Sequence, residues 1–231
     1  MKNFIVAIDG PAGSGKSTTA RIVAEQLGFL YIDTGAMYRA AALWMLRRGV
    51  DVRDANAVEA AVADCTLKFE KRGGEQSILL NGENVTREIR GHEVTRAVSL
   101  VSSYAAVREK MVALQRGYAE TGAIVMDGRD IGTVVFPSAD VKVFLSASLS
   151  ARALRRRRES ADDASDAPTV DELAKELAER DERDSSRALS PLRKADDAIE
   201  IDTTNLTIRE QVQAVVGAVK NKMAEIQRAN R

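Results

Sequence analysis

Short, uniformly apolar runs alternate along this chain with longer stretches in which apolar residues recur every three or four positions. Phe4 to Ile8 is an unbroken apolar run with β-branched members, the mark of a strand buried on both faces. A glycine-rich turn follows. Lys16 to Leu27 then carries Ala20, Val23, Ala24 and Leu27 at helical spacing, with Gly28 placed to stop the helix. Phe29 to Ile32 predicts a second strand, and strand, helix and strand in succession predict a βαβ unit and a parallel sheet.

Thr34 to Arg48 and the alanine-rich residues 54–64 predict two further helices. The texture then changes. Leu67 to Glu70 and Ser77 to Leu80, with Gly73-Gly74 and Asn81-Gly82 as turn signals, predict a small β-hairpin insertion over about 63–90. Helical spacing returns from about 92 to 120. Ile124 to Met126, Val141 to Leu145 and Ile199 to Asp202 supply three more core strands, and 207–226 a closing helix. Residues 159–168 are acidic and small and read as a mobile loop. Thr169-Val170-Asp171-Glu172 after them has capping-box spacing and opens a helix to about Arg187. The whole pattern predicts an α/β fold, with a parallel sheet of about five strands flanked by helices.

Composition narrows the classes. Lys plus Arg equals Asp plus Glu at 34 each, so no global field favours nucleic acid or an anionic membrane, and anion binding must come from local charge. One cysteine, Cys65, excludes an internal disulfide. The first apolar run stops at Asp9-Gly10, too short for a signal-peptide core, and no stretch approaches the ~20 apolar residues of a membrane span. A cytoplasmic protein without membrane or nucleic-acid partners is expected, and a monomer, since no exposed apolar seam stands out.

Chemistry enters with Gly10-Pro11-Ala12-Gly13-Ser14-Gly15-Lys16-Ser17, followed by Thr18, which fits G-x-x-x-x-G-K-[ST] between the first strand and the first helix. Glycines let successive N–H groups turn in on phosphate oxygens, and the helix adds its positive N-terminus. Lys16 would reach the β- and γ-phosphates, and the Ser17 hydroxyl would sit on Mg²⁺. Such a loop announces a nucleoside triphosphate, not a reaction. An Asn-Lys-x-Asp guanine-reading motif is not evident, which lowers the GTPase reading.

Three further clusters follow. Asp33-Thr34-Gly35-Ala36-Met37-Tyr38-Arg39 stands after the second strand; its first residues serve equally as a helix cap, while Arg39 offers a guanidinium one turn on. Asp127-Gly128-Arg129-Asp130-Ile131-Gly132-Thr133 closes another core strand, and ligands gather beyond the carboxyl ends of such strands. Arg180, Arg183, Asp184 and Arg187 are spaced for one helical stripe that Leu173 and Leu177 continue, which predicts charges turned inward rather than an ion-paired surface.

These motifs, in this order and with the hairpin insertion, resemble the bacterial cytidylate kinases over essentially the whole chain. The resemblance implies one P-loop kinase domain over 1–231. Its core would comprise 1–33, 121–150 and 188–231, the CMP-binding part 34–120, and a lid with its following helix 151–187. It implies ATP on the loop with Mg²⁺, and CMP or dCMP as acceptor. Thr34 would lie in the CMP site, with Arg39, Arg129 and Arg187 on the CMP phosphate, Ser99, Arg108 and Asp130 on cytosine, and Arg180 and Asp184 on the sugar hydroxyls. Lid arginines would come from Arg152 and Arg155-Arg156-Arg157-Arg158, with Arg152 and Arg156 as the best individual choices. The same run also reads as a basic nucleic-acid patch, or as a solvated face balanced by Asp162, Asp163 and Asp166.

Cytosine chemistry fits such readers. Asp130 can accept from the 4-amino group while Arg108 donates to N3 and O2. Uracil replaces that donor with a carbonyl, so CMP and dCMP are expected over UMP. The rivals are another small-molecule P-loop kinase and a non-enzymatic NTP-binding protein. His92, without metal-spaced partners, reads as a surface residue, and Cys65 and Trp44 as packing residues.

Overall fold

The computed structural model describes residues 3–72, 75–159 and 168–229. In chain order the first elements are β1 (Ile5–Asp9), α1 (Lys16–Leu27), β2 (Leu30–Asp33), α2 (Thr34–Arg47) and α3 (Ala55–Val62). A small-sheet region follows, with β3 (Leu67–Arg72), β4 (Glu75–Leu80) and β5 (Glu83–Asn84), then α4 (His92–Val101) and α5 (Ala105–Ala119). The remainder is β6 (Ile124–Gly128), β7 (Val141–Ser146), α6 (Leu149–Glu159), α7 (Val170–Ser185), β8 (Ile199–Asp202) and α8 (Ile208–Ala229). The chain divides into two compact units, Met1–Tyr31 with Tyr118–Arg231, and Ile32–Gly117.

β1 reads as a continuous apolar run because it is the middle strand of a five-stranded sheet ordered β2-β6-β1-β7-β8. It pairs in parallel with β6, where Asp9 lies opposite Gly128, and with β7 on its other side; β8 continues the parallel set. The loops that follow β1 and β6 therefore leave from the same carboxyl end of the sheet, where ligands gather in such folds. Val6, Ile8, Val125 and Val143 form a core with Ala20, Val23 and Ala24 of α1 and Val212, Val215 and Val219 of α8.

The second unit contains the antiparallel sheet β3-β4-β5 with α2, α3 and α4. Asn81 and Gly82, with φ of 49° and 88°, turn β4 into β5, the left-handed pair that a two-residue hairpin demands. Trp44 Nε1 donates to Ala61 O at 2.8 Å and so ties α2 to α3, while Tyr104 Oη donates to Val52 O at 2.7 Å.

Three boundaries differ from the sequence expectation. Phe29 belongs to the stop of α1 rather than to β2: its N–H bonds Ala24 O at 2.8 Å, and Gly28 N–H bonds Glu25 O, a Schellman closure. The helical span 92–120 is two helices. At the join the Ser102 and Ser103 hydroxyls donate to Ser99 O and Leu100 O, competing with continuation of the helix. A π-helical turn, Ile131–Val135, follows β6 where no element was expected. Residues 160–167 of the expected acidic loop, and the Gly73-Gly74 turn, lie outside the described residues.

Candidate active site

At the end of β1 the chain turns at Gly10, with φ of 148°; a Cβ there would lie 2.1 Å from Leu145 O, so only glycine lets the loop start this close to β7. α1 begins at Lys16 with Gly15 as its cap and no side-chain acceptor at that cap, which leaves the helix's positive end facing the loop. Lys16 is 5% exposed. Its Nζ donates to Pro11 O at 2.7 Å and lies 3.5 Å from Ser14 Oγ, which holds the ammonium over Gly10–Ser17. Burial, joined by the charges of Arg129 and Arg180, pushes its pKa well below the usual lysine value, with Asp127 and Asp9 acting the other way.

Asp127, at the carboxyl end of β6, is buried and accepts from the Ser17 hydroxyl at 2.7 Å and from the Tyr31 hydroxyl at 2.9 Å. Asp9 plays the matching part on β1. Its two oxygens accept from the N–H groups of Ile131 and Gly132 at 2.8 and 2.7 Å, which starts the π-helical turn and fixes Asp130 just before it. Burial raises the Asp9 carboxyl to about 6 against the pull of those two amides, with Asp130 raising it further and Lys16 opposing.

A second cluster gathers on α7. Asp184, 2% exposed, accepts from Arg129 Nε at 2.9 Å, pairs with Arg187, and has Arg180 Nε at 3.9 Å. Burial works to raise its pKa, but Arg129, Arg187 and Arg180 outweigh it and hold the carboxyl below its ordinary value. One carboxylate among three guanidiniums leaves a local positive excess suited to a phosphate. The stripe is narrower than the sequence implied, because Arg183 is exposed and donates to Glu179 O.

α6 presses its arginines against the phosphate loop. Arg152 is buried; Nη1 donates to Ala12 O at 3.1 Å and pairs with Asp181 at 2.7 Å, while Nε donates to Ala147 O. Arg155 reaches Gly13 O at 3.3 Å and Thr203. Arg156 is half-buried and pairs with Glu159 at 3.3 Å.

The second unit holds the remaining expected residues. Thr34, buried, opens α2 after Asp33, which caps the helix by accepting from Ala36 N–H at 2.9 Å. Arg39 donates to Ile89 O and to Thr95 Oγ1. Ser99 and Arg108 are both buried; Arg108 donates to Ser102 O at 3.4 Å and stands over the Tyr38 ring at 5.5 Å. His92 is exposed at the start of α4, and Cys65 is buried, its thiol pushed up to about 11 by desolvation despite Lys110 nearby.

The profile of the cytidylate kinase family matches residues 6–221. The chain belongs to the cytidylate kinase family. A cytidylate kinase of Geobacillus kaustophilus is 49% identical over 225 residues, covering 96% of this chain and 100% of its own length. One of Bacillus thuringiensis is 46% identical over 224 residues, covering 97% and 99%. Among solved structures, a gluconokinase from Sinorhizobium meliloti has a TM-score of 0.54 at 13% identity over 99% of this chain and 98% of its own, a likeness of fold alone. Among the described residues no helix is long and apolar enough to cross a membrane.

Within this cytidylate kinase chain, several residues to which sequence reasoning assigned no individual role join the cluster. Asp9 and Asp127 each end an apolar core run with a carboxylate, a signal legible in the sequence. Asp181 and Thr203 had no such signal, because their partners lie far along the chain; Arg155 stood in the expected arginine run, but its bonds to Gly13 O and Thr203 follow no local spacing.

Proposed function

We propose that the chain transfers the γ-phosphoryl group of ATP to CMP or dCMP, giving ADP and (d)CDP for pyrimidine nucleotide metabolism. The observation that carries this reading is a phosphate loop with a buried Lys16, together with Arg129, Arg180 and Arg187 gathered around the buried Asp184, in a chain of the cytidylate kinase family. The γ- and β-phosphates of ATP would lie on Gly10 to Thr18, with Lys16 donating to them. Thr34 would lie in the CMP site, with Arg39, Arg129 and Arg187 on the CMP phosphate, Arg180 and Asp184 on its sugar hydroxyls, and Ser99, Arg108 and Asp130 on its base.

A CMP phosphate oxygen forms the new bond to the γ-phosphorus as the bond to the ADP oxygen breaks. That oxygen is already anionic, so no general base is required, and the protein contributes positioning and charge neutralisation. Lys16, Arg129, Arg152 and Arg156 would bear the charge that spreads over the transferring group. The Ser17 hydroxyl and Asp127 carboxylate, 2.7 Å apart, are hard oxygen ligands at the loop and would hold Mg²⁺ together with phosphate oxygens and water. Bound there, the ion would neutralise phosphate charge.

Equal numbers of acidic and basic residues leave no global field for nucleic acid, which supports small-molecule substrates, and the proposal takes the protein as a cytoplasmic monomer. The test is transfer of label from γ-labelled ATP. Label recovered in CDP when CMP is present supports the reading, and label released only as inorganic phosphate would make the protein an ATPase.

A further inference from the structure

Three successive carbonyls of the phosphate loop are each taken by a side chain from outside the loop. Arg152 donates to Ala12 O at 3.1 Å, Arg155 to Gly13 O at 3.3 Å, and the Thr203 hydroxyl lies 3.0 Å from Ser14 O. In a planar trans peptide the N–H points opposite to the carbonyl that precedes it. Holding the carbonyls of residues 12, 13 and 14 on one side therefore turns the amides of Gly13 and Gly15 toward the other, while the Ser14 N–H lies 3.4 Å from Pro11 O within the loop.

Thr203 is the best determined of the three. It is fully buried just beyond β8, and its hydroxyl has a single proton to give. Ser146 O lies 2.9 Å from that hydroxyl but already accepts the Thr203 N–H at 2.8 Å, so Ser14 O is the acceptor with greater need of it. The hydroxyl also accepts from Arg155 Nη1 at 3.1 Å, and a second Arg155 nitrogen donates to Thr203 O. Loop, α6 and the end of β8 are thus joined through one guanidinium and one hydroxyl. Desolvation lowers the pKa of Arg155, against the attraction of Asp202, so this cation is placed where its charge is not favoured by solvent.

We infer that Arg155 and Thr203 are positioning residues for phosphoryl transfer: they act through the loop, by holding the carbonyls of Gly13 and Ser14 away from the phosphates of ATP and so keeping the Gly15 N–H turned toward them. This rests on the reading of Gly10 to Thr18 as the ATP loop. A peptide that flipped would replace a donor by a carbonyl oxygen facing phosphate charge, weakening ATP in both the bound and the transition state.

The experiment compares Thr203→Val, Thr203→Ser and Arg155→Met with the unaltered protein, measuring ATP binding by calorimetry, steady-state constants for ATP and CMP, and thermal midpoints. Losing one such bond is expected to raise the Kd and KM for ATP about tenfold in T203V and R155M. The KM for CMP should stay within about twofold, and T203S should behave as the unaltered protein does. Unchanged ATP binding in T203V and R155M overturns the inference. So does a parallel loss of ATP binding, CMP binding and thermal midpoint that T203S does not rescue, since that is a structural role alone. Failure of the unaltered protein to bind ATP in the same titration would remove the underlying reading of the loop, an outcome separate from normal binding in the variants.

Discussion

Asp184 carries one negative charge against the positive charges of Arg129, Arg180 and Arg187 at 2% exposure, so its loss should be felt both in stability and in binding. Asp184→Asn leaves buried guanidiniums without their counter-charge and is expected to cost about 3 kcal/mol, read by urea denaturation. The pH dependence has a definite sign. The folded carboxyl has a lowered pKa, so its stabilisation is present above the unfolded value of about 4 and is lost as pH falls through the folded value. The variant and the unaltered protein should therefore converge in acid. A cost under about 1 kcal/mol at neutral pH would contradict the cluster as described.

Lys16 gives a second prediction at this scale. Burial and the neighbouring arginines hold its pKa well below the ordinary value in the ligand-free protein, and phosphate charge would restore it. ATP binding should then take up a proton at pH values between the lowered and the restored pKa, and affinity should fall as pH rises through that interval. Calorimetry in two buffers of different ionisation enthalpy measures the uptake. Equal heats in both, with Lys16 intact, would show that the ammonium does not meet the phosphates.

At the scale of elements, α7 shows how a periodic argument succeeds and where it blurs. At about 100° per residue, Leu173, Leu177, Arg180 and Asp184 fall within about 60° of one another, whereas Arg183 is about 100° from Asp184. The observed exposure follows this division: Leu173, Leu177 and Asp184 are buried and Arg183 is exposed. Arg180→Ala is expected to raise the KM for CMP at least about tenfold, whereas Arg183→Ala should leave it within about twofold. Equal effects in steady-state assays would mean that the stripe does not select the binding residues.

Strands and most helices were legible because burial on both faces of β1 and β6, and on one face of α1 and α8, repeats at fixed periods. The split between α4 and α5 was not, because it depends on where the Ser102 and Ser103 hydroxyls point. The π-helical turn was not either: it depends on Asp9, more than a hundred residues earlier, accepting from two consecutive amides. In the candidate site the loop, Arg129 and Asp184 stood out through local motifs. Thr203 and Asp181 were silent, since a threonine on a loop carbonyl and an aspartate on Arg152 follow no local spacing.

For the whole molecule, net charge is zero while the site chemistry is cationic, so specificity must come from placed groups rather than from a field. The family match spans both compact units, residues 6–221. The first contains the phosphate loop, Arg129, Asp130 and α7, and the second contains Thr34, Arg39, Ser99 and Arg108. On the proposed reading the acceptor base is chosen by hydrogen-bond polarity, with Asp130 as acceptor and Arg108 as donor. The most direct measurement is therefore kcat/KM for CMP, dCMP and UMP at saturating ATP and Mg²⁺. The account predicts that CMP and dCMP exceed UMP by about a thousandfold or more; equal turnover of UMP would contradict it.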